Sequence, residues 1–131
     1  MPFIDDIEWD GNNLVPVVVQ DVATKDVLMV GWSNREAIEK MLSCGLATFW
    51  SRSRKKLWTK GESSGNGMVV KELRFDCDLD TVVALVEPKG PACHMGYRTC
   101  FYRRLKPMAA DGELEEIEER VFDPDDVYGS K

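Results

Sequence analysis

Apolar residues first gather at positions 14–20 and 27–32, two valine-rich runs separated by the polar linker Asp21-Val22-Ala23-Thr24-Lys25-Asp26. Such a pair predicts an antiparallel hairpin, because β-branched residues suit a pleated, half-buried surface and the linker suits a turn. Ser33 follows at a position fit for a helix N-cap, with Glu36 three residues on as the second half of a capping box. Ala37, Ile38, Met41 and Leu42 recur at helical spacing and give one apolar face, and Gly45 stands where a left-handed C-terminal residue is needed. Residues 46–50 read as a strand, followed by the polar, basic segment SRSRKKLWTKGESSGNG, which reads as a loop. Residues 68–75, 81–86 and 99–105 are further strands. Asp111-Gly112 is a turn signal, so residues 113–121 either pair back on the preceding strand or, since Leu114, Ile117 and Val121 share a helical face, form a helix. Strands with short connections and one clear helix predict an α+β fold with a largely antiparallel sheet.

Length and charge narrow this further. The 131 residues suit a single domain spanning positions 1–131, large enough to bury a core without disulfide staples. The formal charge of −6 argues against a generally basic nucleic-acid surface. The charge is uneven, however. Nine acids and two bases lie in the acidic C-terminal segment, about 110–131, whereas residues 52–60 hold five bases and no acid. No apolar run approaches the roughly 18 residues of a membrane span. The acidic start MPFIDDIEWDG lacks the basic and apolar regions of a secretory signal, so a cytoplasmic location with reduced thiols is expected.

Reduced thiols turn attention to metal or catalysis. Cys44 stands alone at a helix end, where a small buried hydrophobe is expected. Cys77, Cys93 and Cys100 form C-x15-C-H-x5-C, with His94, the one histidine, directly after Cys93 and with Gly90, Pro91 and Gly96 marking a loop. Three thiolates with an open fourth position suit a catalytic zinc. The spacing alone leaves buried free thiols equally open.

Cys77 lies inside Asp76-Cys77-Asp78-Leu79-Asp80, between two strand-like runs. On an extended chain Asp76, Asp78 and Asp80 project from one face and Cys77 from the other. Three carboxylates on one face repel unless a cation joins them, and oxygen ligands suit Mg²⁺ or Ca²⁺. An EF-hand fails, because its sixth position needs glycine and has Thr81. A solvated acidic strand end is the alternative. In the basic segment, Arg52, Arg54, Lys60, Ser63, Ser64 and Asn66 offer the donors of a phosphate cradle, without the spacing of a Walker A loop. By composition alone a solvated basic loop is the stronger reading.

Taken together, FWSRSRKKLWTKGESSGN, DCDLD and GPACHMGYRTCFYRR, in that order after VGWSNREAIEK, resemble the phosphoribosyl-AMP cyclohydrolase family of histidine biosynthesis. The resemblance covers roughly residues 14–104; Met95 departs from it, standing where relatives often carry a small polar residue. The family's activity is hydrolysis of the N1–C6 bond of the adenine ring of 1-(5-phosphoribosyl)-AMP to the formimino-aminoimidazole carboxamide ribonucleotide. By the resemblance, Cys77, Cys93 and Cys100 bind one Zn²⁺ per subunit and Asp76, Asp78 and Asp80 bind Mg²⁺. The family is homodimeric, with sites at the subunit interface. The chain has no room for the pyrophosphohydrolase domain fused in some relatives.

The chemistry is consistent with those residues. Purine C6 is a weak electrophile, and zinc lowers the pKa of bound water from 15.7 to roughly 7. His94 is a candidate proton shuttle, with a hydrogen-bonding role beside the metal as its alternative. Because alternation points Cys77 away from the aspartates, Cys77 of one subunit is expected to meet Cys93 and Cys100 of another in a shared zinc site. A nucleoside deaminase is the nearest rival and needs H-x-E with P-C-x-x-C, neither of which is present. A non-enzymatic, zinc-stabilised binding module is the rival of a different class.

Overall fold

After a 3₁₀ turn at Phe3–Asp6, the chain forms β1 (Val15–Asp21), β2 (Val27–Ser33), helix α1 (Arg35–Cys44), β3 (Thr48–Ser51), β4 (Lys56–Thr59), β5 (Met68–Phe75), β6 (Val82–Pro88), β7 (Arg103–Lys106) and β8 (Glu113–Glu116). The structure, a computed structural model, describes residues 3–62 and 65–122. Ser63, Ser64 and the acidic end from residue 123 lie outside them. No helix among the described residues is long and apolar enough to cross a membrane.

A four-stranded sheet of order β2-β1-β6-β5 carries the core. β1 and β2 form the expected antiparallel hairpin, with a bulge at Val19/Gln20. β5 and β6 form a second, from Phe75↔Val82 to Met68↔Pro88. The two are joined by parallel pairing of β1 and β6, from Val17↔Val82 to Asp21↔Val86. The sheet is therefore mixed, though most of its pairings are antiparallel. Val15, Val17 and Val19 are buried and alternate with half-buried neighbours, as the period of two requires. With Leu28, Ile38, Met41, Phe49, Met68, Val82, Ala84 and Val86 they make one hydrophobic core.

The helix begins one residue later than the capping box implied. Asn34, in extended conformation, is the N-cap, and its side-chain oxygen accepts from the Ala37 N–H at 2.9 Å. Ser33 instead ends β2, fully buried, with its hydroxyl directed at the Thr48 carbonyl. Gly45 closes the helix as expected, at φ +74° with its N–H on the Met41 carbonyl. Ala37, Ile38 and Met41 are buried, but Leu42 is exposed, so the apolar stripe is one residue narrower. Cys44 is also exposed, contrary to its expected burial, because it sits on the last, outward-facing turn.

The basic segment was expected to be a loop throughout, yet it contains β4. β4 pairs with β3 from Thr48↔Thr59 to Ser51↔Lys56, and Trp58 packs on Phe49 with ring centroids 5.0 Å apart. That aromatic contact gives this short strand within a basic segment its anchor. Between residues 99 and 105 only Arg103–Lys106 is strand, and Glu113–Glu116 pairs back on it, which settles the turn reading over the helical one.

Asn34→Ala is expected to lower unfolding free energy by about 1 kcal/mol, the usual worth of an N-cap side chain, with Asn34→Asp close to the parent. Urea titration of the two variants checks this.

Candidate active site

Residues 92–98 make a tight reversal just beyond β6. The Ala92 N–H donates to the Arg98 carbonyl at 3.1 Å, Cys93 N–H to Tyr97 at 3.0 Å and Gly96 N–H to Cys93 at 3.0 Å. Gly96 lies at φ +96°, and a Cβ there would meet the Phe122 carbonyl oxygen at 2.1 Å, so only glycine fits. The chain then ties to the start of β2: Thr99 Oγ1 donates to the Val27 carbonyl at 2.8 Å and Cys100 N–H to Leu28 at 2.7 Å.

This fold-back brings Cys93 and Cys100 together. Cys93 is buried, and its sulfur accepts the Met95 N–H at 3.4 Å. Burial of the sulfur, followed by the adjacent Cys93, pushes the Cys100 thiol up to about 11, against a smaller opposing pull from Lys60. Lys60 faces the same pair. Its Nζ donates to the Ala92 carbonyl at 2.6 Å, and burial pulls its pKa down while the two thiols raise it. Two adjacent thiols, with the Cys100 thiol reluctant to lose its proton to water, are suited to a soft cation that replaces that proton.

Cys77 does not join them within one chain. Among the described residues, the three ligand groups that gather within 4.8 Å of one another are those of Asp76, Asp78 and Asp80, all exposed. Register explains the separation. Cys77 follows Phe75, which pairs with Val82 at the start of β6, whereas the thiol pair follows Pro88 at its end. At about 3.3 Å per residue, the strand between them spans roughly 20 Å.

The aspartates do meet, but not on the face of a strand. β5 ends at Phe75, and residues 76–81 form the turn between β5 and β6. Asp76 Oδ1 accepts the N–H groups of Asp80 at 3.0 Å and Thr81 at 3.2 Å, and Leu79 takes φ +59°. Aspartate readily caps its own turn in this way, which a strand-like alternation of residues hides. Desolvation raises the Asp76 pKa, but hydrogen bonding with Asp80 and others brings the net value below the ordinary range. Asp80 is raised, first by its hydrogen bond to Asp76 and then by Asp78. Asp76 and Asp80 are thus pushed in opposite directions, as neighbouring carboxyls that share hydrogen bonds are.

His94 is exposed on the wall of a cleft of about 470 Å³ whose other walls include Arg54, Lys56, Trp58, Lys60 and Glu62. It opens into a second cleft of about 540 Å³, with Ser51, Ser53 and Trp58 common to both. There the Arg52 guanidinium lies over the Trp32 ring at 4.5 Å. Asn66 packs so closely on Gly90 that a Cβ at position 90 would fall 2.2 Å from its Oδ1. Of the expected phosphate donors, Arg52 and Arg54 line these clefts and Lys60 points to the thiol loop. Lys56, Ser51 and Ser53 escaped the sequence reading. The one signal of β4 was the adjacent apolar pair Leu57-Trp58, and nothing in the sequence marked Ser51 and Ser53.

Residues 29–102 match the family model described as phosphoribosyl-AMP cyclohydrolase. The chain is 57% identical over 117 residues to the phosphoribosyl-AMP cyclohydrolase of Methanosarcina mazei, covering 89% of this chain and 92% of that one. It is 49% identical to the protein of the same name from Pelotomaculum thermopropionicum, over the full length of both. The corresponding Chlorobium limicola protein is 48% identical over 98% of this chain and 92% of its own.

The raised Cys100 pKa has a consequence for the metal-free protein. The fold favours the neutral thiol, so this contribution to stability is present below the ordinary value of 9.0 and is lost as pH rises toward 11. Urea unfolding in chelator between pH 8 and 11 should show a decline that Cys100→Ala reduces.

Proposed function

The chain belongs to the phosphoribosyl-AMP cyclohydrolase family, and we propose that it opens the adenine ring of 1-(5-phosphoribosyl)-AMP at the N1–C6 bond with the aid of zinc. The observation that carries this reading is the pairing of buried Cys93 with exposed Cys100 next to His94 on a basic cleft. Soft sulfur donors with room for a non-protein ligand fit zinc in its catalytic form. The third thiolate is Cys77 of a second copy, since within one chain Cys77 joins no cluster of three ligand groups among the described residues. A two-fold axis makes that exchange reciprocal and yields two shared sites per homodimer.

Zinc held by these thiolates would supply a water acidic enough to attack near neutral pH. Water adds to C6, the C6–N1 bond breaks, and N1 leaves as the amidine nitrogen, which takes up a proton. His94, beside the metal ligand and open to the cleft, is placed to move that proton. Its alternative role is to hold the water by a hydrogen bond. Arg54 and Lys56 give the cleft the positive charge that a phosphorylated substrate needs, and the Trp32–Arg52 pair extends a flat surface beside it. Asp76, Asp78 and Asp80 suit Mg²⁺, whose charge would relieve their repulsion and meet a substrate phosphate.

The reading is tested by zinc content and by mixing. Cys77→Ala and Cys93→Ala chains, each inactive alone, are dissociated, combined and reassembled. About half the dimers become mixed, each with one intact site, so roughly a quarter of parent activity should return. No recovery in verified heterodimers rejects the shared site, and full activity in zinc-free protein rejects the metal. Separately, Asp78→Asn should weaken the activity response to Mg²⁺ while zinc content stays at the parent level. A variant that loses zinc and keeps its Mg²⁺ titration would reverse the two assignments.

A further inference from the structure

Lys60 is held at both ends. Its backbone N–H donates to the Ala47 carbonyl at 2.9 Å, at the entrance to β3. The next residue, Gly61, has φ +93° and sits so close to Gly67 that a Cβ would fall 2.4 Å from its nitrogen. From this fixed base the side chain crosses to the Ala92 carbonyl, 32 residues on in sequence. None of the ion pairs among the described residues involves Lys60. The groups near it that can carry negative charge are Cys100 and Cys93. A half-buried ammonium facing a neutral carbonyl and two thiols is an expensive arrangement unless the thiols are ionised.

Zinc with three thiolates carries a net charge of −1, and such a group in a partly closed site is stabilised by a fixed positive charge close by. We propose that Lys60 is a positioning residue of the metal centre: it anchors the Ala92 carbonyl, and with it the loop presenting Cys93 and His94, and neutralises the thiolate-bound metal. This rests on the zinc reading above and differs from the phosphate-binding role that the sequence suggested for the same lysine. One N–H of the ammonium is committed to Ala92, which leaves two for other acceptors. A residue that supports ligands from behind in this way governs how tightly the metal is held more than how tightly substrate is held.

The test measures zinc affinity by competition with a chromogenic chelator for the parent protein, Lys60→Met and Lys60→Arg. Lys60→Met removes donor and charge at nearly the same length. It is expected to weaken zinc binding about tenfold or more, the usual cost of losing a group that supports metal ligands. The thermal midpoint of the zinc-free protein should change little, while the upward shift on adding zinc shrinks. At saturating zinc, kcat should fall with KM within about twofold. Lys60→Arg, which keeps a cationic donor, should recover most of the affinity. Should Lys60→Met fail to fold, Lys60→Gln, with a donor but no charge, is titrated instead and is expected to bind zinc more weakly than the parent. Parent-like zinc affinity in Lys60→Met or Lys60→Gln overturns the proposal, and a raised KM alongside it returns Lys60 to phosphate binding. An equal loss of midpoint with and without zinc also overturns it, leaving a purely structural lysine. A parent protein that binds no zinc defeats the metal reading itself, which the same titration shows before any variant is compared.

Discussion

The parallel pairing of β1 and β6 is the constraint on which the molecule's chemistry depends. Two antiparallel hairpins could each form from local signals, but neither buries both faces alone. Pairing Val17 with Val82 through Asp21 with Val86 places two valine-rich strands side by side at the sheet centre. It also fixes what lies at each end of β6. The carboxylate turn with Cys77 sits before Val82, and the loop with Cys93, His94 and Cys100 sits after Pro88. Cys100 is then fastened to Leu28, next to the end of β1, by a 2.7 Å backbone hydrogen bond. The three carboxylates gather in the turn before β6, and the two thiols lie in the loop after it, with Cys77 outside any three-ligand cluster among the described residues.

The order of elements was largely legible in the residues, because the relevant signals are local. Valine-rich alternation marked β1, β2 and β6, and Gly45 marked the end of α1 for the steric reason that held. The errors came where two local signals competed. Ser33 and Asn34 are both good caps, and burial of Ser33 at the end of β2 left the role to Asn34. Asp76 to Asp80 alternates like a strand, yet aspartate prefers to accept its own turn's N–H groups. β4 was hidden because it is short and set among basic residues, and its one strong anchor, Trp58 on Phe49, is a tertiary contact.

The candidate site shows the same division between what is local and what is not. Residue types and order were enough to single out the thiols, the carboxylates and the basic segment. The structure adds that Cys93 and Cys100 meet, that the three carboxylates meet, and that Cys77 stays apart. None of these distances is written in spacing, since residues 77 and 93 could be near or far depending on whether the intervening segment is a straight strand or a loop. Lys60 is the sharpest case. In sequence it is one of five bases within residues 52–60 that read as solvated or phosphate-binding, and only the fold reveals that it crosses to Ala92.

Both clusters are arrangements of like groups that are costly by themselves. Asp80 keeps its proton more firmly than an ordinary aspartate, and Cys100 does the same among thiols. A fold maintained by core packing can tolerate these local costs when neither cluster is part of the core, and the largest buried side chains, such as Phe49, Leu28 and Ile38, lie elsewhere. Cations of matching softness turn each cost into binding energy, because displacing a reluctantly held proton by a metal removes the repulsion at the same time. On the proposed reading the two clusters would take different ions. Carboxylate oxygens on an exposed turn suit a hydrated, hard ion, and half-buried sulfurs backed by an ammonium suit a soft one.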